Sequence, residues 1–358
     1  MARMDLRLRA WGAVTRRTTS VATRTEADVI ALQSRKIPEG GLLGRILGQA
    51  VPGTIVGDRS IPGPGGDIPV RVYAPAGGGG AGGGGAVSGP RPLVVYFHGG
   101  GFVFGGGLRL GDWLCSQVAT NVGAVVVGVD YRLAPVHRFP AAVEDCYAGL
   151  VWAAKNAAEL GADGPIGVMG ESAGANLSAV ISLLARDRGG PPIGHQALVY
   201  PATDMTTHAK PAATRAMPFL SPAEMARYRA MYLGPDGDLS DPMASPLLAS
   251  DHSELPPALV QVAEHDPLRA EGISYASALR AAGVPVRLTE YVGMPHGFLN
   301  FPGLSRSAPQ ALAEICAEQA AALALPPEPD RGSVGAAVED DQGAGIEAEP
   351  VEIAVKLR

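Results

Sequence analysis

From residue 92 onward, short apolar runs alternate with stretches in which apolar residues recur every three or four positions. The runs occupy 92–97, 124–129 (AVVVGV), 165–169 (PIGVM), 196–200 (QALVY), 258–263 (ALVQVA) and 285–291 (PVRLTEY). Helical spacing occupies 142–160, 173–187, 269–282 and 307–325. A strand that is apolar throughout needs both faces covered, so the pattern predicts a mostly parallel sheet flanked by helices, an α/β fold. Ahead of it, DIPVRVYAPA (67–76) alternates as a half-buried strand does. The first 60 residues mix amphipathic and polar stretches with Gly/Pro breaks and read as short helices rather than sheet.

Three segments interrupt the alternation. GGGGAGGGGAVSG (77–89) has almost nothing to bury and reads as a flexible surface loop; a chain so rich in glycine spans about 20 Å, ample to join neighbouring strands. Residues 204–250 are polar, carry Met and Pro, and lack a strand, as an insertion above a sheet would. Within 204–235, Met217, Phe219 and Tyr228, with Met225 and Met231, are apolar residues dispersed along a short amphipathic helix and its approach. Two readings stand: they pack onto the helices of the sheet, or some of them roof a substrate pocket together with parts of the first 45 residues. The tail, 326–358, is rich in Pro, Gly and acidic residues and is expected to be disordered.

Composition narrows the function. A chain of 358 residues with 46% apolar and 18% charged residues can bury a full core. The net charge of −6, with no basic block beyond the first two dozen residues, argues against a nucleic-acid partner. No window approaches the ~18 apolar residues of a membrane span, and the basic N-terminus lacks the apolar core of a signal peptide. Cys115, Cys146 and Cys316 are too few and too scattered for a disulfide framework or metal cluster and read as buried thiols. The expectation is a soluble cytoplasmic protein.

The chemistry lies in two glycine-rich motifs. GVMGESAGANLSAV (167–180) fits strand, sharp turn and helix, and Gly170-Glu171-Ser172-Ala173-Gly174 matches the G-x-S-x-G nucleophile elbow. A side chain at either glycine would collide with the neighbouring strand or helix. The serine hydroxyl would project above the sheet at a helix N-terminus, where developing negative charge is favoured. YFHGGGFVFGGG (96–107) follows an apolar strand and carries six glycines in twelve positions. An acyl-transfer serine needs backbone N–H donors aimed at the oxyanion, and glycine lets the main chain approach without a Cβ. Gly100 and Gly101, with the amide of Ala173, would form that hole; His98 reads as support for the loop. A phosphate cradle is disfavoured, because neither Gly-Lys-Ser/Thr nor a helix-opening GxGxxG is present.

A serine nucleophile needs a base and an orienting acid, in the order Ser, acid, His for this fold class. His296 is the one histidine of seven in a Gly/Pro-rich loop after the last strand, which makes it the base. ALVQVAEHDPLRAEG places Glu264, His265 and Asp266 just past the preceding strand, and both carboxylates remain candidates for the acid.

HGGG (98–101), DYRLAP (130–135), GESAG (170–174), DPL (266–268) and HGF (296–298) together resemble the bacterial hormone-sensitive-lipase family of α/β-hydrolase esterases. The motifs stand in that family's order over about residues 40–325. The resemblance implies an α/β-hydrolase fold with eight strands and a helical cap, a catalytic domain over 61–325, and the triad Ser172, Asp266, His296. It also implies the oxyanion hole Gly100, Gly101, Ala173. Three positions depart from the family's pattern: Val136 where glutamate is usual, Ala270 where an acid often stands, and Glu171 for the commonest aspartate.

The function so implied is hydrolysis of carboxylic esters with short to medium acyl chains through an acyl-enzyme, with no metal or organic cofactor. The substrate would be a small-molecule ester. No nucleic acid and no stable membrane insertion is expected, and a homodimer is the assembly considered. Two alternatives keep the fold: amide or N-acetyl hydrolysis on the same triad, and a non-catalytic ligand receptor.

Overall fold

A computed structural model describes residues 2–33, 40–76, 91–105, 108–207, 218–324 and 353–355. The glycine run 77–89 and Met217 lie outside the described residues, as does the tail apart from 353–355.

Five of the six apolar runs form the centre of one sheet, and the sixth is β8 (Val286–Pro295) beside them. The five are β3 (Leu93–Phe97), β4 (Val125–Val129), β5 (Ile166–Glu171), β6 (Ile193–Val199) and β7 (Ala258–His265). With β1 (Thr54–Ile61), β2 (Ile68–Pro75), β8 and β9 (Ile353–Val355), the order is β1-β2-β4-β3-β5-β6-β7-β8-β9. Among the described residues, β1 with β2 and β2 with β4 pair antiparallel and the other strand pairs are parallel.

Alternation along the strands divides the core into two layers, because successive side chains point to opposite faces. Leu93, Val95, Phe97, Val125, Val127 and Val129 join a cluster with Val143, Cys146 and Leu150 of α5 (Ala141–Lys155) and Leu177, Val180 and Ile181 of α7 (Ala173–Asp187). Val94, Tyr96, Val126 and Met169 face the other way. They meet Leu114, Cys115 and Val118 of α4 (Asp112–Val122) and Ala311, Leu312 and Ile315 of α10 (Ala308–Ala322). A third cluster joins Val260 and Val262 to Tyr275 and Leu279 of α9 (Arg269–Ala281). All three cysteines are free and buried, and burial raises each thiol pKa, that of Cys316 to about 12.

Two elements differ from the sequence pattern. Thr54–Ile61 is a strand although residues 1–60 read as helical; six of its eight residues are exposed, so it carries almost no apolar alternation. Within the tail, Ile353–Val355 pairs with Thr289–Tyr291 as an edge strand, where disorder is expected.

Above the carboxyl ends of the strands, the N-terminal helices meet the insertion. Val21 and Val29, the latter on α2 (Glu26–Gln33), are buried in one cluster with Leu220, and with Met225 and Met231 of α8 (Pro222–Leu233). Gln33 Nε2 donates to the carbonyls of Val103 and Ala134, both at 2.7 Å, and Arg227 donates to the carbonyl of Arg24 at 3.1 Å. Helix α8 starts at Ser221, whose hydroxyl and backbone exchange hydrogen bonds with Glu224 in a capping box.

Candidate active site

Strand register brings the motifs together. Phe97 pairs with Gly170, so the loop after β3 and the turn after β5 emerge side by side. His265 pairs with Pro295, so Asp266 and His296 leave adjacent strands next to each other. All four segments meet at the carboxyl edge of the sheet, where α/β folds place their ligands.

Ser172 sits between β5 and α7 at φ 57°, ψ −117°, a conformation that non-glycine residues rarely adopt. Its amide donates to the Val199 carbonyl at 2.9 Å, which fixes the turn against β6. A Cβ at Gly170 would strike the backbone of Gly174, and one at Gly174 would strike the carbonyl of Phe97. The two glycines therefore let helix and strand close on the serine from both sides.

The Ser172 hydroxyl lies 2.9 Å from His296 Nε2, and His296 Nδ1 lies 2.7 Å from Asp266 Oδ2. Asp266 has no exposed side-chain surface, and its other oxygen accepts the Leu268 amide at 2.8 Å. These two bonds leave the carboxylate in one orientation, with Nδ1–H of the imidazole as its partner. Tyr200 packs edge-on against the imidazole at 4.8 Å between ring centres. Glu264, the competing acid, points elsewhere and accepts from the amides of Gly293 (2.8 Å) and Ala2 (2.7 Å). His265 Nε2 lies 2.9 Å from the Ala2 carbonyl, on the protein surface.

The loop after β3 turns on Gly100 (φ 117°) and Gly101 (φ 62°), with the Gly100 carbonyl accepting from the amides of Val103 and Phe104. Among the described residues, the amides of Gly100, Gly101 and Ala173 have no acceptor. His98 stacks on Tyr131, 4.2 Å between ring centres, and its Nδ1 lies 2.8 Å from the Gly99 carbonyl. Tyr131 in turn donates to the His98 carbonyl at 2.7 Å. His98 thus stiffens the loop and has no bond to Ser172 or His296.

Glu171, which the sequence singled out only as a departure, is fully buried beneath this loop. One of its oxygens accepts both the Gly99 amide (2.9 Å) and the Tyr96 hydroxyl (3.0 Å); the other has no hydrogen-bond partner among the described residues. Burial raises its pKa to about 7, with the Gly99 amide opposing the shift.

A small cavity of about 30 Å³, partly open to solvent, contains Ser172 in its wall. Tyr228 lines it, and a Cβ on Gly101 would approach the Tyr228 ring to 2.6 Å. Phe219, expected among the pocket residues, is not among those lining this cavity; its ring stacks on Phe301 at 4.9 Å. Leu220 and Met225 take that place, with Phe102, Met205 and Leu268 completing the apolar wall. No strong signal in the sequence distinguishes Leu220 from Phe219, because the chain ahead of α8 has no periodicity.

A family model described as the alpha/beta hydrolase fold matches residues 94–300. Carboxylic ester hydrolase LipN of Mycobacterium tuberculosis is 46% identical over 268 residues, 72% of this chain and 68% of LipN. The chain belongs to the hormone-sensitive-lipase-like family of α/β-hydrolase esterases. Esterase LipI of the same organism is 42% identical over 71% of this chain and 78% of its own length. The solved structure of a hyperthermophilic esterase from Pyrobaculum calidifontis superposes with a TM-score of 0.72 at 36% identity, covering 89% of this chain and 99% of that one. Of the three departures from the family's pattern, Val136 and Ala270 are exposed. Glu171 alone touches the site. No helix among the described residues is long and apolar enough to cross a membrane.

Proposed function

We propose that the protein hydrolyses carboxylic esters with short to medium acyl groups, using Ser172 as nucleophile, His296 as base and Asp266 as the orienting acid. The observation that carries this reading is the unbroken relay from Ser172 Oγ to His296 Nε2 (2.9 Å) and from His296 Nδ1 to Asp266 (2.7 Å). With Nδ1–H held by the carboxylate, Nε2 presents its lone pair to the serine. Attack on the ester carbonyl transfers the serine proton to Nε2 and forms a tetrahedral oxyanion. The acceptor-free amides of Gly100, Gly101 and Ala173 are the donors for that charge. The imidazolium then protonates the leaving alcohol, and water enters by the same route to release the acid.

Residues 204–235 and the N-terminal helices act in this reading as a cap. Leu220, Met225 and Tyr228 stand in the cavity wall, so an acyl chain gains about 0.8 kcal/mol per buried CH₂ until the cavity is full. The three free buried cysteines agree with a reducing cytoplasmic location.

The relay favours catalysis over a binding-only role, and a fluorophosphonate probe separates them: Ser172 becomes labelled in an enzyme and stays unlabelled in a receptor. Turnover of a butyryl ester against the matched butyryl anilide tests the ester reading against amide hydrolysis. The ester is expected to be the faster substrate, and a faster anilide would overturn that preference.

A further inference from the structure

The basic N-terminal stretch has no part in the relay, yet it folds as a helix beside the cap. Helix α1 (Leu6–Thr19) starts where the Asp5 amide donates to the Gly293 carbonyl of β8 at 3.0 Å. Its inner face is packed. Leu8 is buried in one cluster with Met294 and Phe298, and a Cβ on Gly12 would strike Pro218. Pro218 stands two residues before Leu220, which lines the catalytic cavity.

The outer face of α1 is apolar where a solvated helix would be polar. At about 3.6 residues per turn, Leu6, Ala10, Ala13 and Val14 fall on one side, opposite Leu8 and Gly12. All four are exposed, Leu6 at 73% and Val14 at 64%. Arg7 and Arg9 border the strip on its two sides; both are exposed, and neither has an ion pair among the described residues. The helix carries four arginines and no acidic residue, in a chain whose net charge is −6.

Charge of this sign, concentrated against that of the whole chain, attracts an anionic surface. A free anion or a nucleic acid would satisfy the arginines and leave the apolar strip in water. An anionic bilayer satisfies both, because its phosphates lie directly above an apolar layer. We propose that α1 docks the protein on anionic phospholipid bilayers, lying in the headgroup plane. Leu6 and Val14 enter the acyl boundary, Arg7 and Arg9 meet phosphates, and nothing spans the bilayer. The cap, with the catalytic cavity beneath it, is thereby held at a surface in which apolar esters dissolve. The docking does not depend on the role of Ser172.

The test sediments the full-length protein with vesicles of phosphatidylcholine, alone or with roughly one-third phosphatidylserine. The protein should pellet with the anionic vesicles and stay in solution with the neutral ones, and high salt should release it. Changing Arg7→Gln and Arg9→Gln together should weaken the partition by about 30-fold. Leu6→Ser with Val14→Ser should weaken it by about 10-fold or more. All four side chains are exposed, so both double variants should fold and hydrolyse soluble p-nitrophenyl butyrate as wild type does. Failure of wild type to pellet with anionic vesicles would overturn the proposal, as would partition that neither double variant changes. If the strip instead covers a second copy of the chain, wild type runs as a dimer, Leu6→Ser with Val14→Ser as a monomer, and neither binds vesicles; that result also overturns it. Vesicle binding as expected in a protein that turns over no ester would count against the esterase reading alone.

Discussion

Glu171 Oε1 lies 2.9 Å from the amide nitrogen of Gly99, so the residue before the nucleophile also anchors the glycine loop that faces it. One buried carboxylate thereby sets the distance between the serine and the amides proposed to receive the oxyanion. Its burial has a measurable consequence. The ordinary carboxyl value of 4.5 rises to about 7 in the folded protein. Below pH ~4.5 both states hold the proton. Between there and pH ~7 the unfolded chain releases it while the folded protein keeps it, so stability declines as pH rises. The shift corresponds to about 3 kcal/mol in total. Glu171→Gln removes the titration, so its urea midpoint should fall less than that of wild type between pH 5 and pH 8. Parallel declines in the two proteins would show that Glu171 does not titrate in this window.

The glycine loop is constrained by sterics at two positions. A Cβ at Gly100 would meet the Phe104 carbonyl, and one at Gly101 the ring of Tyr228; both residues also have positive φ. Gly100→Val and Gly101→Val should each lower kcat by at least ~10²–10³, the loss seen when an oxyanion donor is removed. Near-normal kcat in both variants would contradict the assignment of these amides.

Chain-length preference should follow the cavity wall. Met225→Ala enlarges the cavity and should move the optimum of a p-nitrophenyl ester series toward longer acyl chains. It should also cost stability, since core Met→Ala changes run to ~2–5 kcal/mol. Phe219→Ala should leave the profile in place, because that ring packs on Phe301. The opposite pattern would put Phe219 back in the pocket.

The imidazole of His296 can accept the serine proton only when neutral, so kcat/KM should rise as pH rises. Glu171, whose pKa is raised to about 7, would produce a rise of its own. The Glu171→Gln variant separates them: the rising limb should persist in it. Its disappearance would assign the limb to Glu171.

The fold was legible wherever burial was complete. Leu93–Phe97 and Val125–Val129 are buried at every position, so their uniform apolarity identifies them, and Ala173–Asp187 carries a helical period throughout. Thr54–Ile61 was not legible, because an edge strand with six exposed residues imposes little on its side chains. In the site, Ser172 and His296 stand out because each follows a strand in a loop with its own motif, whereas only the family resemblance separates Asp266 from Glu264 two residues earlier. The place of Glu171 under the glycine loop depends on the register of β3 against β5, which no local pattern encodes. The same holds for Leu220 and Phe219, where one residue's difference in an irregular segment decides which side chain meets the cavity and which meets Phe301.

The most direct test of the central claim is the kcat of Ser172→Ala on p-nitrophenyl butyrate, measured beside wild type on protein shown by circular dichroism to be folded. If Ser172 is the nucleophile, turnover should drop by roughly 10⁶, the loss expected when a triad serine is removed. A folded variant that keeps more than a few per cent of wild-type activity would contradict the claim and move the chemistry to another residue.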